Sequence, residues 1–439
     1  MHSSRIFFPS SGKLALLASA AAAALLAGCA SAPSEPISRP AESAAGARAA
    51  TAPAPPGKAA LDDADVEQRF ARWVADFRAA ARSQGVSEAT LRSAFDQVRY
   101  LPRVIELDRA QPEFTRTVWD YLDNAVTPQR VATGQEKLAQ VRAEADAAAA
   151  RYGVPPAVVV AIWGMESNYG DNYGNTPVVD ALATLGFEGR REDWARRELL
   201  AALKILDSGD IARDRMIGSW AGAMGQTQFL PSNFLAYAVD ADGDGRRDIW
   251  GSMADVVAST ANFLSRSGWQ AGTPWGVEVR LPTGFDFGRA DMAVRQSGAQ
   301  WAAEGLRTVD GQPLPELADA SVLLPAGARG PAFLVLDNFR SILKYNNSTS
   351  YALAIGLLAD NLLRPTEVQG SWPRGERQLG RSERIELQEL LARNGLQPGP
   401  ADGIIGANTR KAVRALQLQL NWPADGYPNE ELLKQLRGR

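Results

Sequence analysis

The chain has 439 residues, which is long enough for two or three folded domains. Its 47 basic and 50 acidic residues leave a formal net charge of −3, without the basic excess that usually accompanies nucleic-acid binding. The single histidine is His2 and the single cysteine is Cys29, so a chain that lost this segment would lack a Ser-His-Asp triad, a Cys–His pair, a His or Cys zinc site and disulfides. Catalysis would then depend on carboxylates, hydroxyls, amides, Lys or Tyr.

The first 29 residues have the features of an export signal. Arg5 and Lys13 precede an apolar run from Leu14 to Leu26, which is too short to cross a bilayer as a stop-transfer helix and fits the apolar core of a signal peptide. The run ends in Leu-Ala-Gly-Cys at Cys29, which resembles a bacterial lipobox. The resemblance implies cleavage before Cys29 and acylation of its thiol and amine. An uncleaved N-terminal anchor with an incidental cysteine is the alternative.

Residues 30–60 are rich in Ala, Pro, Ser and Gly, a composition that cannot bury enough apolar surface to fold. We interpret them as a disordered tether with a reach on the order of 30 Å. Ala30 follows the cysteine in place of Asp, so the lipobox resemblance implies the periplasmic face of the outer membrane of a Gram-negative bacterium.

A mainly helical domain is predicted for residues 61–365. Ser87 is the predicted N-cap of a helix running to Phe95, and one long helix is predicted from Gln129 to Tyr152. Two further helices are indicated by apolar residues at three- and four-residue steps, namely Phe70, Trp73, Val74 and Phe77 in one and Phe114, Val118 and Tyr121 in the other.

Alternating apolar residues predict a small β-containing insertion at about Gly276 to Asp310. Residues 366–380 contain Gly370, Pro373 and Gly375 and are predicted to be a linker. Apolar spacing in residues 381–439 predicts three short helices, so the chain is expected to hold one large and one small folded domain.

Glu166 is the main catalytic candidate. It follows a stretch from Ala157 to Met165 that is apolar on every side and therefore typical of a buried central helix. A carboxyl group in such surroundings has a raised pKa, which suits a general acid near neutral pH. From periodicity alone, Glu166 could equally be a surface residue near a helix end or half of a buried ion pair.

Three motifs resemble the lytic transglycosylases of the membrane-bound B type, over about residues 65–363. Residues 164–170 (Gly-Met-Glu-Ser-Asn-Tyr-Gly) resemble the catalytic motif of that family. Residues 219–232 resemble its Gly-Ala-Met-Gly-x-x-Gln-Phe-x-Pro signature, and residues 344–351 resemble its Tyr-Asn-x-Ser-x-x-Tyr segment. Without the resemblance, the second motif is a Gly/Ala-rich packing loop and the third a polar turn with two tyrosines.

The resemblance implies a lysozyme-like helical catalytic domain and a carbon–oxygen lyase that cleaves the β-1,4 bond between N-acetylmuramic acid and N-acetylglucosamine in peptidoglycan. Glu166 would act first as acid and then as base, the muramic C6 hydroxyl would attack C1, and a 1,6-anhydromuramic end would form without a catalytic cofactor. Substrate-binding roles are implied for Ser219, Gln228, Tyr345, Asn346 and Tyr351, with the tyrosines lining the saccharide groove.

A second carboxylate is not required by this scheme, because the substrate supplies its own nucleophile, whereas ordinary glycosidases use two. Asp171 and Asp180 are near Glu166 in sequence, but no motif supports either.

An acidic loop resembles the opening of an EF-hand, with Asp240, Asp242 and Asp244 at the first, third and fifth positions and glycine at the sixth. The twelfth position is Gly251 in place of Glu, so Asp255 is the candidate late ligand; Arg246 could contribute only its carbonyl. We expect a structural calcium ion here, with a solvated acidic turn as the alternative.

The C-terminal unit contains Asp402, Gly403, Gly406 and Thr409 in an Asp-Gly-x-x-Gly-x-x-Thr pattern that resembles the three-helix peptidoglycan-binding domain. Asn408 or Thr409 is the expected cap of the following helix. A small helical interaction module is the reading without the resemblance.

The expected protein is thus a monomeric lipoprotein whose partners are peptidoglycan glycan strands and, through its lipid anchor, the outer membrane. Three alternatives stay open: a scaffold that binds the wall without cutting it, a muramidase that uses water, and a calcium-sensing lipoprotein.

Overall fold

The computed structural model describes residues 58–110 and 116–438. The export signal, the lipidation site Cys29 and the expected tether up to residue 57 lie outside the described residues. Within the described ranges, no helix is both long enough and apolar enough to cross a membrane.

The N-terminal third of the described chain is helical, as predicted. Ser87 caps the second helix by accepting the N–H of Thr90 at 3.2 Å. The single long helix predicted from Gln129 is wrong, because Val141 adopts φ −100° and ψ 23° and divides it in two. The six helices are α1 Lys58–Ser83, α2 Glu88–Phe95, α3 Pro102–Arg109, α4 Val118–Ala125, α5 Pro128–Gln140 and α6 Arg142–Tyr152.

The central helix α7, Pro156–Ser167, lies in the main core, as its apolar composition predicted. It begins with proline, whose missing N–H costs little in the first helical turn. Four helices and one short strand pair follow it in the chain: β1 Thr176–Pro177, α8 Val178–Glu188, α9 Glu192–Ser208, β2 Ile217–Gly218, α10 Pro231–Tyr237 and α11 Met253–Arg266.

The β-containing insertion is larger than expected, because its antiparallel sheet extends to Val335. The strand missed by sequence periodicity, Ala-Phe-Leu-Val, is buried on both faces and therefore shows no polar alternation. The sheet has the order β4-β3-β6-β5 and a core of its own around Trp301. Its elements are β3 Gly276–Arg280, α12 Gly298–Ala303, β4 Arg307–Thr308, β5 Ser321–Leu323 and β6 Ala332–Val335.

Two helices close the large domain, α13 Asp337–Tyr345 and α14 Thr349–Leu363. The second of them is apolar along most of its length and packs against both α7 and α4. This packing brings the third sequence motif next to the first.

The C-terminal unit forms the three predicted helices, α15 Arg381–Arg393, α16 Ala407–Gln419 and α17 Glu430–Arg437, around a separate leucine-rich core. The expected cap by Asn408 or Thr409 is wrong. Gly406 occupies the N-cap of α16, and the Thr409 hydroxyl donates to the carbonyl of Pro398 at 2.9 Å, which ties the preceding loop to the helix.

The C-terminal domain is docked on the insertion. The N–H of Ala328 donates to the Asp425 carboxylate at 2.7 Å, and the Arg414 guanidinium lies 3.3 Å from the Asp291 carboxylate. The predicted linker, residues 366–380, is also held: Glu278 on β3 accepts the N–H groups of Gln369 and Gly370 at 2.8 and 2.7 Å.

Candidate active site

Glu166 lies in the last turn of α7, where the buried helix reaches a partly accessible pocket. The hydroxyl of Tyr351, on α14, donates to its Oε1 at 2.5 Å. Tyr351 is only 4% exposed, so its ring cannot stack on a sugar. The structure thus brings together one residue of the first motif and one of the third, and Tyr351 donates a hydrogen bond to the Glu166 carboxyl group instead of presenting its ring to a groove.

The environment of Glu166 suits a general acid. Burial disfavours its charged form and raises its pKa from 4.5 to about 7, while the hydrogen bond from Tyr351 stabilises the carboxylate and opposes that rise. The group is consequently present in both protonation states near neutral pH, as a residue that donates and then recovers a proton requires.

Three tyrosines surround the carboxyl group. The charge of Glu166 adds to the effect of burial in raising the pKa values of Tyr345 and Tyr351 well above the ordinary one, and that of Tyr121 to about 12. All three hydroxyls therefore stay neutral and keep the proton that a hydrogen-bond donor needs. Tyr121 was missed as a site residue because the sequence marks it only as part of a helix face, and the packing of α4 on α14 is what brings it to the pocket.

The chain turns sharply after Glu166. Asn168 and Tyr169 are consecutive left-handed residues with φ 49° and 59°, and their N–H groups donate to Gly164 and Trp163 of the last helical turn. The Tyr169 ring lies against Gly164, where an added Cβ would be 2.5 Å from the ring. The glycine two residues before Glu166 is thus required for this helix end to close.

The second motif, residues 219–232, forms a loop that is fixed to α7 by Gln226. Its Oε1 accepts the indole N–H of Trp163 at 2.8 Å and its amide donates to the carbonyl of Trp250 at 2.8 Å. Sequence reasoning did not single out Gln226. Gln228 carries the expected sugar-binding amide. Its side-chain NH₂ group donates to the backbone carbonyls of Tyr173 and Gly225, which leaves the side-chain oxygen for a ligand.

Ser219 is partly buried, and its hydroxyl oxygen accepts the N–H of Ala223 at 3.1 Å, so its proton is free to be donated. The hydroxyl of Tyr345 donates to the carbonyl of Thr227 at 2.6 Å and holds α13 against the signature loop. Asn346 is the C-cap of α13 and is partly exposed beside it.

Neither sequence-adjacent aspartate serves as a partner carboxylate. Asp171 is exposed, while Asp180 is buried and its Oδ1 is 2.6 Å from the guanidinium of Arg213. Within the described ranges, no second carboxylate contributes to the pKa of Glu166. The pocket therefore holds one acid/base group surrounded by neutral hydroxyls and amides.

The acidic loop gathers three of the expected metal ligands. Carboxylate oxygens of Asp240, Asp242 and Asp244 lie within 4.8 Å of one another. Asp255 is outside this group: its two oxygens accept the N–H groups of Ala241 and Asp248 at 2.7 Å each, and it closes the base of the loop. The structure thus corrects the prediction that Asp255 is the late metal ligand, because its oxygens bind backbone N–H groups instead. Arg246 lies in the same loop, where it could contribute only its carbonyl.

These features define a class of protein. The family model of the transglycosylase SLT domain matches residues 69–360, and that of the peptidoglycan binding domain matches residues 380–436. The chain belongs to the transglycosylase SLT family and ends in a peptidoglycan-binding domain, as the sequence motifs implied.

The chain is similar to particular lytic transglycosylases. Membrane-bound lytic murein transglycosylase B of Escherichia coli K12 is 36% identical over 242 residues, which span 54% of this chain and 64% of that protein, slightly under two thirds of its length. The crystal structure of SltB3 from Pseudomonas aeruginosa with NAG-anhNAM-pentapeptide has a TM-score of 0.83 and 56% identity, covering 84% of this chain and 99% of that one. Escherichia coli Slt35 in complex with calcium has a TM-score of 0.57 and 31% identity, covering 67% and 92%.

Proposed function

We propose that this protein is a lytic transglycosylase that cleaves the β-1,4 bond between N-acetylmuramic acid and N-acetylglucosamine of peptidoglycan and leaves a 1,6-anhydromuramic end. The observation that carries this proposal is the partly accessible Glu166, whose pKa is raised to about 7 and whose pocket presents no second carboxylate among the described residues. A single group that exchanges one proton fits a reaction in which the substrate supplies the nucleophile.

The reaction balances with Glu166 alone. Protonated Glu166 donates its proton to the glycosidic oxygen as the bond between C1 of the muramic sugar and that oxygen breaks, so the leaving sugar departs with a free hydroxyl. The C6 hydroxyl of the same muramic residue attacks C1 and closes the anhydro ring, and its proton passes to the Glu166 carboxylate. The enzyme returns to its starting state and no water is consumed.

The neighbouring residues have matching roles. The Tyr351 hydroxyl stabilises Glu166 in its ionised state, between the two proton transfers. The free carbonyl of Gln228, the Ser219 hydroxyl and the Asn346 amide can bind sugar hydroxyls and N-acetyl groups. SltB3, 56% identical to this chain, has been solved with both NAG-NAM-pentapeptide and NAG-anhNAM-pentapeptide, which supports this substrate and this product end.

The acidic loop fits a calcium ion. Asp240, Asp242 and Asp244 present hard carboxylate oxygens close together, and Slt35 binds calcium. The ion would brace the loop between α10 and α11, and no step of the reaction depends on it.

The protein is proposed to act at the periplasmic face of the outer membrane, held by lipids on Cys29. The lipobox-like sequence supports this location, and so does the composition of residues 30–60, which suits a tether between the membrane and the wall.

The deciding experiment digests purified peptidoglycan with residues 58–439, beside Glu166→Gln and the exposed control Glu136→Gln, and identifies products by mass spectrometry. Anhydromuropeptides from the wild type and Glu136→Gln, but not from Glu166→Gln, are expected. Reducing ends would show a hydrolytic muramidase. Binding to peptidoglycan without any product would show a scaffold.

A further inference from the structure

The segment between the two domains, residues 366–380, lies against helix α4 of the large domain. Val368 and Trp372 pack on the main core, and the Trp372 ring is 6.3 Å from that of Trp119 on α4. Arg374 forms a two-pronged contact with Asp123, also on α4, with N–O distances of 2.6 and 3.1 Å. One helix therefore receives both contacts.

The eight-residue helix α4 is too short to be stable without packing. Trp119 and Asp123 are four residues apart, so they share the face that the interdomain segment covers. Val118, Tyr121 and Ala125 follow a three- and four-residue spacing on a different face. Since α4 also packs on α14, it is held from both sides, and its rotation determines where Tyr121 lies.

Tyr121 connects this arrangement to the chemistry. The Glu166 charge raises the pKa of Tyr121. Tyr121 in turn raises the pKa of Tyr351, the residue whose hydroxyl donates to Glu166. Tyr121 is partly buried against the main core, and the Glu166 charge acts on it, so the ring takes up space near the carboxyl group that water would otherwise fill. Burial is what raises the pKa of Glu166.

We propose that Trp372 and Arg374 are positioning residues: through Trp119 and Asp123 they fix α4 so that Tyr121 closes the pocket of Glu166. The proposal rests on the proposed function. It makes the segment before the wall-binding domain part of the catalytic apparatus, although it touches neither the substrate nor the reacting atoms. Because misplacement by about 1 Å can cost up to about a hundredfold in rate, loosening α4 should be visible in turnover.

The test compares the full chain with the double variant Trp372→Ala/Arg374→Ala, using soluble glycan strands. We expect kcat to fall about tenfold, with KM and binding to intact sacculi unchanged. The control is Arg142→Ala, which removes a similarly exposed ion pair of 2.7 Å on α6, far in sequence from the segment, and should leave kcat unchanged. An unchanged kcat in the double variant would overturn the proposal.

Two further variants separate positioning from loss of folding. Arg374→Asp alone should lower kcat, and adding Asp123→Arg should restore most of it, because the reversed pair can form the same contact. Trp372→Phe, which keeps an aromatic ring against Trp119, should retain most activity. If the reversed pair restores no activity and Trp372→Phe also loses it, the segment acts only through general stability, and the proposal is contradicted.

A readout without turnover keeps this proposal distinct from the proposed function. The carboxyl ¹³C resonance of Glu166, assigned by its disappearance in Glu166→Gln, reports the pKa of that group directly. In the double variant the pKa should fall from about 7 towards 4.5 as water enters the pocket. If wild type makes no product but the pKa falls in the variant, the function is wrong and the positioning stands; an unchanged pKa refutes the positioning.

Discussion

Replacing Glu166 with Gln should stabilise the protein at alkaline pH while abolishing its activity. The folded state raises the pKa of Glu166 from 4.5 to about 7, which corresponds to about 3 kcal/mol at about 1.4 kcal/mol for each pH unit. Because the folded-state pKa is the higher one, the wild type is most stable, relative to a non-titrating variant, below pH 4.5. It loses that free energy as the pH rises through about 7. Gln does not ionise and its oxygen can still accept from Tyr351, so the variant escapes this loss.

The measurement is urea unfolding of residues 58–439 at about pH 4 and about pH 8, following the transition of the catalytic domain. The difference in unfolding free energy between Glu166→Gln and wild type should grow by about 3 kcal/mol between the two pH values. Glu136→Gln, which removes an exposed carboxylate from α5, should show almost no such change. Equal differences at both pH values would refute the claim that burial governs the ionisation of Glu166.

Three further outcomes are expected. Tyr351→Phe removes a hydrogen bond that favours the Glu166 carboxylate, so the alkaline limb of the pH–rate profile should move up by about one to two pH units; an unmoved limb would contradict this. Gly164→Ala forces a methyl group against the Tyr169 ring and should cost about 2 kcal/mol of unfolding free energy, whereas Gly375→Ala, whose added Cβ would meet no atom within 4 Å, should be nearly neutral by the same denaturation assay. Calcium should raise the melting temperature of wild type by about 2–4 °C, and EDTA or Asp242→Asn should remove that rise; no response of the wild type would exclude the site.

Sequence reasoning found the parts of the site that depend on local pattern. The apolar run before Glu166 predicted a buried helix, and burial is the main reason for the raised pKa. Short local stretches of sequence were likewise enough to predict the Ser87 cap, the acidic loop and the three C-terminal helices. Family motifs added Tyr351 and the signature loop, which periodicity alone would have left as a polar turn and a packing loop.

What the sequence could not supply depends on contacts between distant segments. Tyr121 looks like any helix residue until α4 meets α14, and Gln226 is marked as a brace only by its bonds to Trp163 and Trp250. Strand β6 lacks alternation because both its faces are buried. Asp255 was predicted to be a ligand because spacing cannot show that backbone N–H groups already occupy its oxygens.

The attachment of the C-terminal domain to the insertion through Asp425 and Arg414 has a consequence for which strands the enzyme acts on. With the wall-binding surface and the cleavage pocket on one body, the separation between them sets a minimum useful length of glycan. A glycan strand longer than this separation can bind the wall-binding surface and the cleavage pocket at once, so it dissociates slowly. A shorter fragment can occupy only one of the two sites. On the proposed function, the enzyme would therefore release its own short products and stay on long strands, and the docking contacts would set the cut-off length.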